Sequence, residues 1–148
     1  MIRAATSTDI PRIVELGSRW LAESPYKSII KDIPGQTAKF AGQVIETGKV
    51  LLYENDNGLV AGLLAFLIFA HPFTGEATAT ELMWYVEPEE RTGGGGLKLL
   101  WEAEKEAKQM GATYMGFTAP SMEVAALYER FGYKALEVTF LKDLQCHS

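Results

Sequence analysis

The chain has 148 residues, of which 47% are hydrophobic and 22% charged, and it carries a net charge of −5. That length lets one domain bury a core without disulfides or metal, and the acidic balance gives no basic footprint for nucleic acid. A single cysteine, Cys146, excludes an internal disulfide framework and a CxxC zinc or redox site; it reads as a bystander thiol and fits a reducing cytosol.

The opening MIRAATSTDI lacks a hydrophobic signal core. The most apolar run, Leu59 to Ala70, is too short for a bilayer, which needs about 20 residues, and reads as a buried strand. MIRAAT predicts a short first strand. STDIPRIVELGSRWLAES predicts a helix capped by Asp9 or Thr8, with Pro11 in its first turn and Ile10, Ile13, Leu16 and Trp20 on one face. A second helix covers GQTAKFAGQVIETG and stops at Gly48. Two strands then meet at Asn55-Asp56-Asn57-Gly58, where Asn-Gly signals a hairpin because both central residues tolerate positive φ. EATATELMWYVEP predicts a third strand ended by Pro88.

After the glycines, Leu97, Leu100, Ala103, Ala107 and Met110 recur at helical spacing. GATYMGFTA predicts a short strand. SMEVAALYERFG predicts a helix capped by Ser121 and ended by Gly132, and YKALEVTFLKDL a closing strand or hairpin. With no long linker, low-complexity tail or repeat, the expectation is one α/β domain over residues 1–148, antiparallel in front with a parallel crossover behind.

Residues 91–97 read RTGGGGL. A helix start leaves backbone N–H groups without partners and carries partial positive charge, so it favours phosphate. Glycines let the backbone approach such an anion, and Arg91 can add charge-assisted bonds at the lip. A P-loop is not formed, since Gly96 is followed by Leu97-Lys98-Leu99. GxGxxG fails as well, its last position falling on Lys98 or Leu99.

YVEPEERTGGGGLKLL resembles the coenzyme A motif of the GNAT superfamily of N-acyltransferases: Arg91, Gly94 and Gly96 match its Arg/Gln-x-x-Gly-x-Gly/Ala signature, and a strand ending Val86-x-Pro88 precedes it. SMEVAALYERFGYKALE is similar to the family's second block, and IRAATSTDIPRIVEL to its opening. The resemblance spans nearly the whole chain. It implies a mixed, mostly antiparallel sheet with a splayed parallel pair and about four helices, the splay holding acetyl-CoA.

On that resemblance the backbone of Trp84, Tyr85 and Val86 bonds the pantetheine arm. The N–H groups of Thr92, Gly93, Gly94, Gly95, Gly96 and Leu97 hold the pyrophosphate. Ser121 stands where many relatives place an asparagine near the coenzyme; helix capping explains it equally well. Tyr128 matches the family tyrosine that gives the departing thiolate its proton or a hydrogen bond to the sulfur, although Val124, Leu127, Tyr128 and Phe131 also form an apolar stripe. Alternation in ATELMWYV places Glu81, Met83 and Tyr85 on one face and Leu82, Trp84 and Val86 on the other. A carboxylate in this apolar strand is paired, solvated or used as a base, as some relatives use theirs. His71 reads as a loop histidine, and Glu87, Glu89 and Glu90 as a solvated charge cluster.

The leading expectation is a cytoplasmic, acetyl-CoA-dependent N-acetyltransferase acting by direct transfer to a primary amine of a small molecule or protein, without metal, nucleic acid or membrane. A non-catalytic acyl-CoA-binding module and an unrelated nucleotide-phosphate binder are the alternatives. Trp20, Tyr26, Phe73 and Glu76 lie where the family builds its acceptor side, and a homodimer is usual among relatives.

Overall fold

The computed structural model describes residues 1–145, so Cys146 lies outside the described residues. Strands β1 (Ile2–Ala4), β2 (Gly48–Glu54), β3 (Val60–Ala70), β4 (Ala77–Val86) and β5 (Tyr114–Gly116) form one sheet in that spatial order. All neighbours are antiparallel except β4 and β5, which run parallel. Four α-helices accompany them: α1 (Ile10–Glu23), α2 (Pro34–Thr47), α3 (Gly95–Gln109) and α4 (Met122–Arg130). None of the described helices is long and apolar enough to cross a membrane.

The unbroken apolar run of β3 follows from burial on both faces. Leu63 and Ala65 face α1 and α2 together with Ile13, Leu16, Val44 and Leu52. Leu64 and Phe66 face α3 together with Leu51, Leu99 and Ala103. Each of these leucines contributes about 1.5–3 kcal/mol by leaving water. In α3 the buried stripe is Gly95, Leu99, Leu100, Ala103 and Ala107. Leu99 therefore takes the core position expected of Leu97, and Met110, past the helix end, is exposed.

Helix α1 begins differently from expectation. A 3-10 turn, Ser7–Asp9, precedes it, and neither Thr8 nor Asp9 caps it through its side chain. Asp9 instead accepts from the Thr6 N–H at 2.8 Å and from both terminal nitrogens of Arg3 at 2.9 Å. Those Arg3 bonds hold its carboxyl down to about 2. The extra turn moves the free N–H groups upstream, so the carboxylate works backwards onto the entering chain.

The Asn55–Gly58 hairpin forms, but only Gly58 has positive φ, at 76°. Asn55 Oδ1 instead accepts from the N–H groups of Asn57 and Leu59, so a side chain organises the turn. Gly48 ends α2 as expected, for a reason of space: a Cβ there would collide with the Phe66 carbonyl oxygen across the sheet. Gly48→Ala is expected to cost about 1–3 kcal/mol, read as a lowered melting temperature.

A bulge at Leu82 interrupts the alternation of β4. Glu81 pairs with Phe66 and Met83 with Ala65, leaving Leu82 unopposed. Leu82, Met83 and Tyr85 consequently all pack towards α1 and α2, whereas Trp84 and Val86 pack towards α3. Glu81, opposite Phe66, shares the α3 side, which corrects its expected grouping with Met83 and Tyr85.

The closing strand is absent. Residues 131–145 contain no strand or helix, and the sheet ends at β5. Beyond Tyr133, whose N–H reaches the Tyr128 carbonyl, no backbone N–H from 134 to 144 donates to another backbone group among the described residues. Among the described residues the segment's alternating pattern pairs with no strand edge.

Candidate active site

Strand β5 pairs with β4 only at Thr78, Ala79 and Thr80. From Glu81 to Val86, β4 runs on with β3 on one side and no strand on the other. This leaves the splayed parallel pair, with backbone amides of β4 free to bond an inserted chain. The bulge marks where the splay begins.

At the far end of β4, residues Pro88–Gly93 form a 3-10 turn, Gly94 takes φ 80°, and α3 begins at Gly95. The four glycines differ in what they do. Gly94 needs the left-handed conformation, and a Cβ on Gly95 would lie 2.7 Å from the Tyr53 ring. A Cβ on Gly96 would make ordinary contact with Trp84 and Val86, and one on Gly93 would meet nothing. The first α3 donor to find a carbonyl is Lys98, which bonds Gly94, leaving the N–H groups of Gly95, Gly96 and Leu97 without backbone partners. These donors lie beside Trp84, at the mouth of the splay.

Arg91, expected at the lip for an anion, is turned towards α1. Its Nε donates to the Val86 carbonyl at 2.8 Å, one terminal nitrogen donates to Glu23 at 2.8 Å, and its guanidinium lies 5.4 Å from the Tyr85 ring centroid. The Val86 carbonyl is thus occupied, and Arg91 would have to leave Glu23 to reach a phosphate. Tyr85 is buried on the same side. Burial and the neighbouring Glu23 carboxylate push its hydroxyl up to about 12.

Glu87 is not a solvated residue. It is 5% exposed and accepts from Arg12 at 3.3 Å and from Arg19. Two arginines of α1 therefore clamp the end of β4, and sequence proximity to Glu89 and Glu90 concealed this. Glu90 accepts from Asn55 Nδ2 at 2.9 Å, and Glu89 is exposed.

The inner wall of the splay is aromatic. Trp84 stacks on Tyr128 with centroids 5.8 Å apart, Phe117 lies 5.1 Å from Tyr128, and Tyr133 lies 5.2 Å from Phe117. Trp84 Nε1 is buried without a partner among the described residues, an unmet donor beside the α3 N-terminus. The Tyr128 ring is buried, and its hydroxyl has no hydrogen-bond partner among the described residues. Burial, then the charge of Glu81, raise its ionisation far above the ordinary range, so it keeps its proton.

Glu81 is partly buried, without hydrogen bond or ion pair among the described residues, and desolvation pushes its carboxyl up to about 8. The sequence proposed Glu81 and Tyr128 separately; the bulge brings them to one side of the sheet. Phe117 and Tyr133 were missed, because their only sequence signal is an aromatic after β5 and another after Gly132.

Ser121 caps α4, its Oγ accepting from the Val124 N–H at 3.3 Å. His71 sits in the β3–β4 turn, its Nδ1 accepting from the Phe73 N–H, at the opposite end of β4 from the glycines. Phe73 and Glu76 share that turn, whereas Trp20 stacks with Tyr26 at 6.3 Å beyond α1. The four expected acceptor-side residues are therefore not one cluster. Trp20 lines a cleft of about 250 Å³ with Ile30, Ile33, Gln36 and Met83.

The model of the acetyltransferase (GNAT) family matches residues 18–133. No curated protein sequence matches significantly. Among solved structures, the chain is similar to an acetyltransferase of Trypanosoma brucei, at 20% identity and TM-score 0.77, covering 97% of this chain and 99% of that one. It is similar to a predicted acetyltransferase with acetyl-CoA from Clostridium acetobutylicum, at 18% identity and TM-score 0.79, covering 97% and 96%. Glucosamine-6-phosphate N-acetyltransferase from Arabidopsis thaliana follows at 16% identity and TM-score 0.76, covering 98% of each chain. The family match over most of the chain and the splayed β4–β5 pair agree: this chain belongs to the GNAT acetyltransferase family.

Proposed function

We propose that the protein transfers the acetyl group of acetyl-CoA directly to a primary amine. The observation that carries this reading is the combination of an unpaired β4 edge with free α3 N–H groups at one end and the Tyr128 hydroxyl beside it. The amide-rich pantetheine arm lies along the backbone of Trp84 and Tyr85, taking the place of a strand. The pyrophosphate rests on the N–H groups from Thr92 to Leu97, of which Gly95, Gly96 and Leu97 have the freest geometry. Arg91 supports the loop through Val86 and Glu23, and Ser121 supports the start of α4.

The thioester supplies an acyl carbon already activated towards amines. A neutral amine nitrogen attacks that carbon and forms the new C–N bond; the C–S bond then breaks, and the electron pair leaves on sulfur. Glu81, directly or through water, takes the proton the amine gives up, a task suited to a carboxyl poised near 8. Tyr128, kept undissociated by its burial, donates a hydrogen bond to the sulfur and passes its proton as the C–S bond breaks; the phenol then regains a proton from water and Glu81 releases the one it took.

Melting temperature with excess acetyl-CoA, coenzyme A, NAD or ATP tests the ligand assignment. At about 100 times its dissociation constant a native-state ligand adds roughly 2.7 kcal/mol, several degrees for a chain of this size. The expected result is a rise with the two coenzyme A species alone. A rise with ATP or NAD, or with none of the four, overturns the reading. Coenzyme binding without turnover on any amine leaves the non-catalytic binding module.

A further inference from the structure

Taking the acetyl transfer proposed above, on which this rests, we infer that the acceptor is a primary monoamine with a narrow hydrocarbon body, held in an apolar trough between α1, α2 and the Met83 side of β4. The trough is two hollows in series. The outer one, about 250 Å³, is walled by Trp20, Leu21, Ile30 and Ile33. The inner one, about 160 Å³, is walled by Ala41, Val44, Val50, Leu63 and Leu82. Thr37 and Met83 line both, so the hollows meet at that pair. Together they reach the lower part of the range of about 300–1,000 Å³ that small-molecule sites occupy.

Gly17 keeps the junction open. It is buried in the interior of α1, where glycine is less favourable than alanine, and no positive φ requires it there. A Cβ on Gly17 would lie 3.4 Å from Thr37 Cγ2 and 3.6 Å from Met83 Cε. Those are ordinary contacts, so the position tolerates a methyl group, but the methyl would occupy the passage between the two hollows. The β4 bulge supplies the floor, because it turns Leu82 and Met83 to the same side of the sheet.

The walls select the occupant. Lys31, Asp32 and Gln36 stand around the outer hollow, whereas Thr37 is the one polar side chain lining the inner hollow among the described residues. A sugar or a second ammonium group carried inwards would lose its water with nothing to replace it, while a buried hydrocarbon gains. The reacting amine belongs at the β4 end of the trough. Glu81, without an ion pair among the described residues, adjoins Leu82 in the chain, and the strand edge opens there. The proposed acetyl donor lies by Trp84, which packs to the opposite side of the sheet from Met83, so the trough is left to the acceptor.

Acetyl-CoA consumption with propylamine, butylamine, hexylamine and phenethylamine, against hexamethylenediamine and glucosamine, tests this. Binding is read without turnover from the Met83 methyl resonance, identified by its loss in Met83→Leu, in protein saturated with coenzyme A. Affinity and kcat/KM should rise about fourfold per methylene from propylamine to hexylamine. The diamine and the sugar should neither move the methyl resonance nor be acetylated. Gly17→Ala should raise the melting temperature by a few degrees and yet bind hexylamine about fourfold or more weakly. A flat series, a preference for the diamine or the sugar, or undiminished hexylamine binding in Gly17→Ala overturns the inference. So does hexanoyl-CoA serving as well as acetyl-CoA while amine length has no effect, which gives the trough to the acyl chain. Amines that bind in the expected order but are never acetylated also overturn it. Failure of the transfer itself shows separately, as the absence of a melting response to the coenzyme.

Discussion

Tyr128→Phe lowers kcat by about 10²–10³-fold, within the range of a single general acid, and leaves the affinity for acetyl-CoA nearly unchanged. The ring is what packs: it stacks on Trp84 and touches Phe117, and phenylalanine keeps both contacts. The hydroxyl bonds nothing in the protein among the described residues, so removing it strands no buried partner and leaves the melting temperature where it was. A loss of turnover at constant stability and constant coenzyme affinity therefore separates proton donation from packing. Undiminished kcat would return Tyr128 to the role of a core residue at the end of an apolar stripe. Steady-state kinetics with coenzyme A release, alongside a melting curve, gives all three numbers.

The second large effect is on pH dependence. With Glu81 as base, kcat/KM rises with pH along a limb whose midpoint lies near 8, because only the ionised carboxylate accepts a proton. Glu81→Gln lowers the rate by about 10²-fold and removes the limb. Any limb that survives in the variant belongs to the amine substrate. An identical profile in both proteins would show that Glu81 takes no proton in the reaction.

The same carboxyl sets a stability signature that needs no substrate. Its folded value of about 8 stands above its ordinary 4.5, so between these the folded state holds a proton that the unfolded state has given up. Stability attributable to Glu81 is therefore full below about 4.5, falls as pH rises through the window, and levels above about 8. Glu81→Gln is expected to melt at a higher temperature than the wild type at pH above that window, and with a smaller pH dependence. Equal slopes for the two proteins would mean that the carboxyl is solvated.

The comparison between sequence and structure divides along a physical line. Local chemistry was legible. Pro11, Ser121 and Gly132 bound helices because caps, fixed φ and left-handed glycine act within a few residues. The β3 run predicted burial on both faces, and the glycines announced a helix start with free donors. What the sequence could not carry was any contact made across the sheet. The bulge at Leu82 depends on the register of β4 against β3, and one inserted residue moved Glu81 to the side of Trp84 and away from Met83. Arg91 and Glu87 look like neighbours of an anion site in the chain, but α1 supplies Glu23, Arg12 and Arg19, from 68 or more residues away, and claims both.

The sequence by itself determined the order of the elements up to α4 and the residue types available at the splay, because these rest on periodicity and turn chemistry, and its motifs carried the resemblance to the family. Only the tertiary structure decided which face Glu81 occupies, that Gly95 is glycine for the sake of the Tyr53 ring, and that the last apolar stretch pairs with no strand edge among the described residues. Register, close approach and edge pairing are relations between residues far apart in sequence, and a period of two or of 3.6 records none of them.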